Sequence, residues 1–132
     1  MNIPFRVFIV EDSALIRERI IDDLVAMGGY EVTGFAESEG DALVSIEESR
    51  PDIVVTDLRL KEGSGVEVVR RVSADPRPPA PRIFVLTNYA FPEYRRQCLA
   101  NGAEEFFDKT SEYGEFLSLM RQIRRPRPVL EE

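Results

Sequence analysis

The chain predicts an α/β fold: a five-stranded parallel sheet, doubly wound, with strands in the order 2-1-3-4-5. Five short runs rich in β-branched and aromatic residues alternate strictly with helix-like stretches along the 132 residues. That alternation is the pattern of helices packed on both faces of a parallel sheet. One run, Ile53-Val54-Val55-Thr56-Asp57, has no polar alternation, as expected of a strand covered on both faces. The carboxyl ends of the runs collect polar residues, and an open α/β sheet keeps its chemistry there.

The first strand spans Phe5 to Val10. Ser13 suits the N-cap of the helix that follows, and Ile16, Ile20, Leu24 and Met27 recur at helical spacing on its inward face. Gly28-Gly29 stops it. The second strand, Glu31 to Phe35, leads to a helix from Ser38 to Ser49 with Leu43 and Ile46 inward, ended by Pro51. The third strand is Ile53 to Asp57. After a turn containing Gly63 and Gly65, Val66, Val69 and Val72 mark the third helix. The segment Asp75-Pro76-Arg77-Pro78-Pro79-Ala80-Pro81 reads as a stiff exposed loop. Strand four runs from Ile83 to Leu86, helix four from Pro92 to Asn101, and strand five from Glu104 to Phe107. Helix five buries Phe116, Leu119 or Met120, and Ile123.

Residues 1–124 are expected to form one domain, with 125–132 as a short C-terminal tail. A chain of this length buries a core without disulfides or metal staples. The single cysteine, Cys98, forms no internal bridge, which fits a reducing compartment. The N-terminus lacks a signal-peptide pattern, and no apolar stretch approaches the ~20 residues of a membrane span. A cytoplasmic location is expected. A formal charge of −7, from 17 basic and 24 acidic residues, argues against generic attraction to nucleic acid. The absence of histidine excludes a His-based nucleophile, base, metal ligand or internal phosphohistidine.

Strand one is followed by Glu11-Asp12, strand three ends in Asp57, strand four in Thr87, and strand five in Asp108-Lys109. With strands one and three adjacent, their loops diverge and leave a crevice. Glu11, Asp12 and Asp57 are expected to meet there, with Thr87 and Lys109 at the rim. Three clustered carboxylates repel, each pair at ~4 Å by roughly 1–4 kcal/mol, so the cluster invites a cation. Hard oxygen ligands suit Mg²⁺. With metal bound, a carboxylate is a competent nucleophile towards phosphorus and needs no base. A metal, an ammonium and a hydroxyl around one carboxylate are the parts that phosphoryl transfer requires.

The motifs Val10-Glu11-Asp12, Val55-Thr56-Asp57-Leu58, Leu86-Thr87 and Phe106-Phe107-Asp108-Lys109 stand in order along the chain. In that order and spacing, residues 5 to 124 resemble a response-regulator receiver domain of two-component systems, which has a flavodoxin-like fold. The resemblance implies that Asp57 accepts a phosphoryl group from a histidine kinase or a histidine phosphotransfer protein. It implies that Asp12, Asp57 and the backbone carbonyl of Arg59 bind Mg²⁺, with Glu11 acting largely through water. Lys109 then pairs with the phosphoryl group, Thr87 moves to hydrogen-bond it, and Phe106 is the aromatic whose rotamer follows the switch. Such a protein assists its own phosphorylation and dephosphorylation without being a conventional enzyme. With no second domain in the sequence, a stand-alone switch acting on a downstream protein target is expected.

The sequence departs from the family pattern at two positions. Thr110 follows the lysine where the family usually has a cis-proline, so a trans peptide is expected; Thr110 or Ser111 is then available to cap helix five, with Glu112 and Glu115 in its first turn. Lys61 replaces the proline common after the third strand. Arg59 and Tyr89, two residues beyond Asp57 and Thr87, are placed to steer an attacking water and so tune dephosphorylation. Phe91, Tyr94, Arg95 and Arg96 form one candidate docking face, and Arg121, Arg124, Arg125 and Arg127 another. Two other functions share the fold. One is a phosphorylation-independent scaffold. The other is an aspartyl-phosphate phosphatase of the haloacid-dehalogenase type, which wants an Asp where Arg59 stands. Flavin binding also fits the strand order, but no hydroxyl- and glycine-rich phosphate loop follows strand one.

Overall fold

In the computed structural model, which describes residues 3–123, five strands and five helices alternate without exception. They are β1 (Phe5–Val10), α1 (Ala14–Met27), β2 (Tyr30–Ala36), α2 (Glu39–Ser49), β3 (Ile53–Thr56), α3 (Gly65–Ala74), β4 (Arg82–Thr87), α4 (Pro92–Ala100), β5 (Glu105–Asp108) and α5 (Tyr113–Ile123). All four strand pairings are parallel, and the sheet order is β2-β1-β3-β4-β5. The fold class is as the sequence predicts.

Side chains alternate across each strand, and the two faces of the sheet make two cores. Phe8, Val10, Val54, Ile83, Val85 and Phe106 pack with Ala42, Ile46, Val68, Val69, Val72 and Cys98 of α2, α3 and α4. Val7, Ile9, Ile53, Val55, Phe84, Leu86 and Phe107 pack with Ile20, Leu24, Phe116 and Met120 of α1 and α5. The middles of the central strands, Val7–Val10, Ile53–Val55 and Ile83–Leu86, are therefore apolar on both faces, which is why β3 shows no polar alternation.

Three helix starts are set by serine side chains, the first of them at Ser13 as expected. The hydroxyls of Ser13, Ser38 and Ser64 accept from the backbone N–H of Ile16, Asp41 and Val66. Gly28 ends α1 with φ 78°, a conformation that glycine adopts without strain. The buried stripe of α3 includes Val68 besides Val69 and Val72, while Val66 is only half-buried. Met120, rather than Leu119, joins Phe116 as fully buried on α5.

The stretch between β5 and α5 differs from expectation. Thr110 and Ser111 do not cap the helix. Asp108 and Glu112 close the turn instead: the Glu112 carboxylate accepts from Asp108 N–H at 2.8 Å, and the Asp108 carboxylate accepts from Thr110 N–H at 2.8 Å. The Lys109–Thr110 peptide is trans, as the loss of proline predicts. Among the described residues no helix is long and apolar enough to cross a membrane.

Candidate functional site

β1 and β3 run side by side with Val10 opposite Thr56, so Glu11 and Asp57 leave the sheet at the same level. The ladder continues one residue further, with Asp57 N–H donating to Val10 O at 2.9 Å. The chain then turns towards opposite faces, α1 to one side and α3 to the other. That divergence opens the crevice at the switch point of the strand order. Carboxylate oxygens of Glu11, Asp12 and Asp57 lie within 4.8 Å of one another there.

The backbone around Asp57 is fixed by a close approach. Gly65, at the start of α3, comes so near that a Cβ on it would lie 1.8 Å from the Asp57 carbonyl oxygen. Its N–H donates to Leu58 O at 2.8 Å. Only glycine leaves that space. The Thr56 hydroxyl donates to the same Asp57 carbonyl at 2.8 Å, and Asp57 Oδ1 accepts from Leu58 N–H at 2.6 Å.

Lys109 sits deeper than the rim position expected for it. Its Nζ donates to Glu11 Oε1 at 2.6 Å and to Asp57 Oδ2 at 2.8 Å, with its side chain only 9% exposed. Burial by itself lowers the lysine, but the hydrogen bonds and charges of Asp57 and Glu11 outweigh it and hold the ammonium above the ordinary range. Burial pushes the Glu11 carboxyl above its usual value, against the pull of Lys109. Glu11 Oε2 also accepts from Ser13 N–H at 3.1 Å. Asp12 is exposed.

Thr87 is likewise fully buried rather than at the rim, and its hydroxyl accepts from Tyr89 N–H at 3.0 Å. Arg59 and Tyr89 meet across the mouth of the crevice: the guanidinium donates to the Tyr89 hydroxyl at 3.0 Å and lies 4.5 Å from the ring centre. Phe106 is a buried core residue. Its carbonyl accepts from Arg95 at 3.1 Å, and the Arg95 guanidinium lies 5.3 Å from its ring. Phe91, just before α4, and Tyr94, Arg95 and Arg96 on it are all exposed. Arg121 is exposed on the last turn of α5, while Arg124, Arg125 and Arg127 lie outside the described residues.

Sequence reasoning missed Arg17 and Glu37. Arg17 is buried on α1, and its Nη1 donates to Glu11 O at 2.9 Å and to Glu37 Oε2 at 3.0 Å. A signal existed: Arg17 lies three residues before Ile20 and seven before Leu24, on the inward stripe itself, where an arginine must find partners. Glu37 carried no such signal.

The donors fit a small hard dication. All are carboxylate oxygens, two of them fixed by backbone N–H groups and Lys109. The third, Asp12, makes no hydrogen bond or ion pair among the described residues, so its lone pairs are open to a cation. Mg²⁺ binds one or two carboxylates and keeps several waters, which matches one exposed and two anchored acids.

The family model described as response regulator receiver domain matches residues 7–121. The DNA-binding transcriptional activator DevR/DosR of Mycobacterium tuberculosis is 29% identical over 126 residues, covering 96% of this chain and 57% of that protein. Chemotaxis protein CheY of Thermotoga maritima is 26% identical over 121 residues, covering 91% of this chain and 98% of CheY. The chain thus spans little more than half of the activator and nearly all of CheY. The receiver domain of sensor histidine kinase PA1611 from Pseudomonas aeruginosa superposes with a TM-score of 0.76 at 25% identity. It covers 91% of this chain and 97% of that one, and holds a magnesium ion coordinated in its active-site cleft. Many proteins share a 2-1-3-4-5 sheet, but an acidic crevice at its switch point and a family match across nearly every element leave one assignment: the chain belongs to the response regulator receiver domain family.

Proposed function

We propose that this domain is a phosphorylation-dependent switch in which Asp57 accepts a phosphoryl group from a histidine kinase or histidine phosphotransfer protein. The observation that carries the reading is the placement of Asp57. It is 6% exposed, within 4.8 Å of two further carboxylates and hydrogen-bonded to a buried ammonium. An Asp57 oxygen attacks phosphorus, and the donor's bond to phosphorus breaks with its electron pair leaving on the donor. Lys109, already bridging Glu11 and Asp57, follows the charge onto the new phosphoryl oxygens. Thr87, at the end of the strand beside β3 and with its hydroxyl accepting from Tyr89 N–H, turns to donate to a third oxygen. Glu11, Asp12, Asp57 and the Arg59 carbonyl would hold Mg²⁺, and the ion would supply charge neutralisation on the transferring group. Phe106 responds inside the core. The magnesium-bearing cleft of the PA1611 receiver supports this metal assignment.

The domain then acts through its own surface rather than by turning over a substrate. Coverage of CheY along 98% of its length supports output through contacts of this fold. The test is incubation with acetyl phosphate and MgCl₂. One phosphoryl group per chain, released by hydroxylamine and missing from Asp57→Asn, is the expected result. Labelling that persists in Asp57→Asn, or steady release of phosphate from many esters, refutes it in favour of another acceptor or a phosphatase.

A further inference from the structure

We propose that Arg17 and Glu37 form a brace that positions Glu11 and Asp12 against Asp57, and so sets the affinity of the pocket for its divalent cation. This rests on the reading of the pocket as an Mg²⁺ site. The two side chains come from different elements, Arg17 from α1 and Glu37 from the loop after β2. Arg17 reaches from α1 back to the Glu11 carbonyl at 2.9 Å, the residue that begins the acidic pair. The same nitrogen donates to Glu37, one residue past the end of β2, at 3.0 Å. The exposed ring of Phe35 covers the guanidinium, 3.9 Å from its centre, and keeps water from that face.

From Glu37 the brace continues into the loop that follows Asp57. Lys61 N–H donates to Glu37 O at 2.9 Å, and Glu39 N–H to Glu62 O at 2.9 Å. Ser64 N–H donates to Glu39 Oε1 at 3.1 Å, and the Lys61 ammonium lies 3.5 Å from Glu37 Oε1. A proline at position 61 would have no N–H to give to Glu37. This loop ends at Gly65, wedged against the Asp57 carbonyl. Arg17 and Glu37 thus connect the backbone on the Glu11 side of the pocket to the backbone on the Asp57 side, with no bond to the carboxylates of Glu11, Asp12 or Asp57. Stability alone is a small part of what the pair supplies, because the Glu37 side chain is 34% exposed and ion pairs open to solvent contribute little. Partners one layer beyond metal ligands typically change affinity 10–100-fold when removed.

Positioning and simple charge predict different signs. Arg17 is a cation beside the pocket, so its charge alone opposes metal binding and Arg17→Met would tighten it. As a brace, its loss weakens binding. The experiment is calorimetric titration of the full chain with MgCl₂ alone, for wild type, Arg17→Met, Arg17→Lys, Glu37→Gln and the double variant Arg17→Met/Glu37→Gln. Thermal midpoints in EDTA are measured in parallel. The expected result is about tenfold weaker Mg²⁺ binding in both Arg17→Met and Glu37→Gln, with the double variant no weaker than either single one. Arg17→Lys, keeping the charge without the planar guanidinium that lies over the Phe35 ring, falls between. Tighter binding in Arg17→Met, or unchanged affinity in it, overturns the brace. If Glu37→Gln does not fold, the comparison of Arg17→Met with Arg17→Lys decides alone. Wild type that binds no Mg²⁺ removes the metal reading and the brace together, whereas wild-type binding with unaltered variants removes only the brace.

Discussion

Neutralising Asp57 is expected to stabilise the metal-free protein, and the structure gives the size of the effect. Asp57 repels Glu11 and Asp12, whose oxygens lie within 4.8 Å. At an effective dielectric of ~20 each such contact costs about 3.5 kcal/mol. The attraction to Lys109 at 2.8 Å returns about 6 kcal/mol on the same scale. Asp12 is exposed, so its share is screened, and the opposing sums cancel to within about 1–2 kcal/mol. Solvation breaks the tie, since Asp57 is only 6% exposed and a buried charge costs several kcal/mol. Lys109 is not stranded by the change, because Glu11 remains 2.6 Å away. Less one weakened hydrogen bond, Asp57→Asn is expected to gain about 1–2 kcal/mol, or about 3–6 °C in Tm. Lys109→Met is the contrasting case: it leaves the acids unpaired and costs about 3–5 kcal/mol. Urea denaturation followed by circular dichroism in EDTA measures both. Added Mg²⁺ at ten times its Kd raises wild type by about 1.4 kcal/mol and narrows or inverts the gap. Asp57→Asn less stable than wild type in EDTA would show that the ion pair with Lys109 outweighs the crowding, and the reasoning fails.

Gly65→Ala places a methyl 1.8 Å from the Asp57 carbonyl and has only backbone to displace; a loss of about 3 kcal/mol or more, read by denaturation, is expected. Cys98 is fully buried and its thiol is pushed up to about 11 by burial, so iodoacetamide modifies it only at the rate of unfolding at pH 8. Its folded value lies above the unfolded one. The corresponding stability is therefore complete below about pH 9 and declines as pH rises towards 11, a decline that Cys98→Ala lessens. Tyr89→Ala removes the ring that Arg59 stacks on and bonds to, and faster loss of the phosphoryl group from acetyl-phosphate-labelled protein is expected. An unchanged rate excludes shielding by that pair.

The elements were legible because their signals are local. Serines at 13 and 38 announce two helix starts by side chains that bond three residues ahead; Ser64 caps the third helix in the same way but was not read from the sequence. The apolar run at β3 reflects a strand between two cores. Where expectation failed, the deciding contact was with another group nearby that competed for the same backbone. Asp108 and Glu112 took the turn that Thr110 and Ser111 were expected to cap. The Leu119-or-Met120 choice depended on the pitch of α5 against the sheet, which periodicity alone does not resolve.

By itself the sequence determined which chemical groups stand at the carboxyl ends of the strands, because a residue at a strand end is set by its neighbours in the chain. It also determined that parallel strands with two covered faces must bring those ends to one edge. Only the tertiary structure decided the depth and pairing of those groups. Thr87 and Lys109 are interior rather than peripheral, Lys109 bridges residues 98 and 52 positions away, and Arg17 reaches Glu37 across 20. The physical reason is that a buried charge must find a partner wherever the packing of separate elements provides one, and that packing is not encoded at any single position.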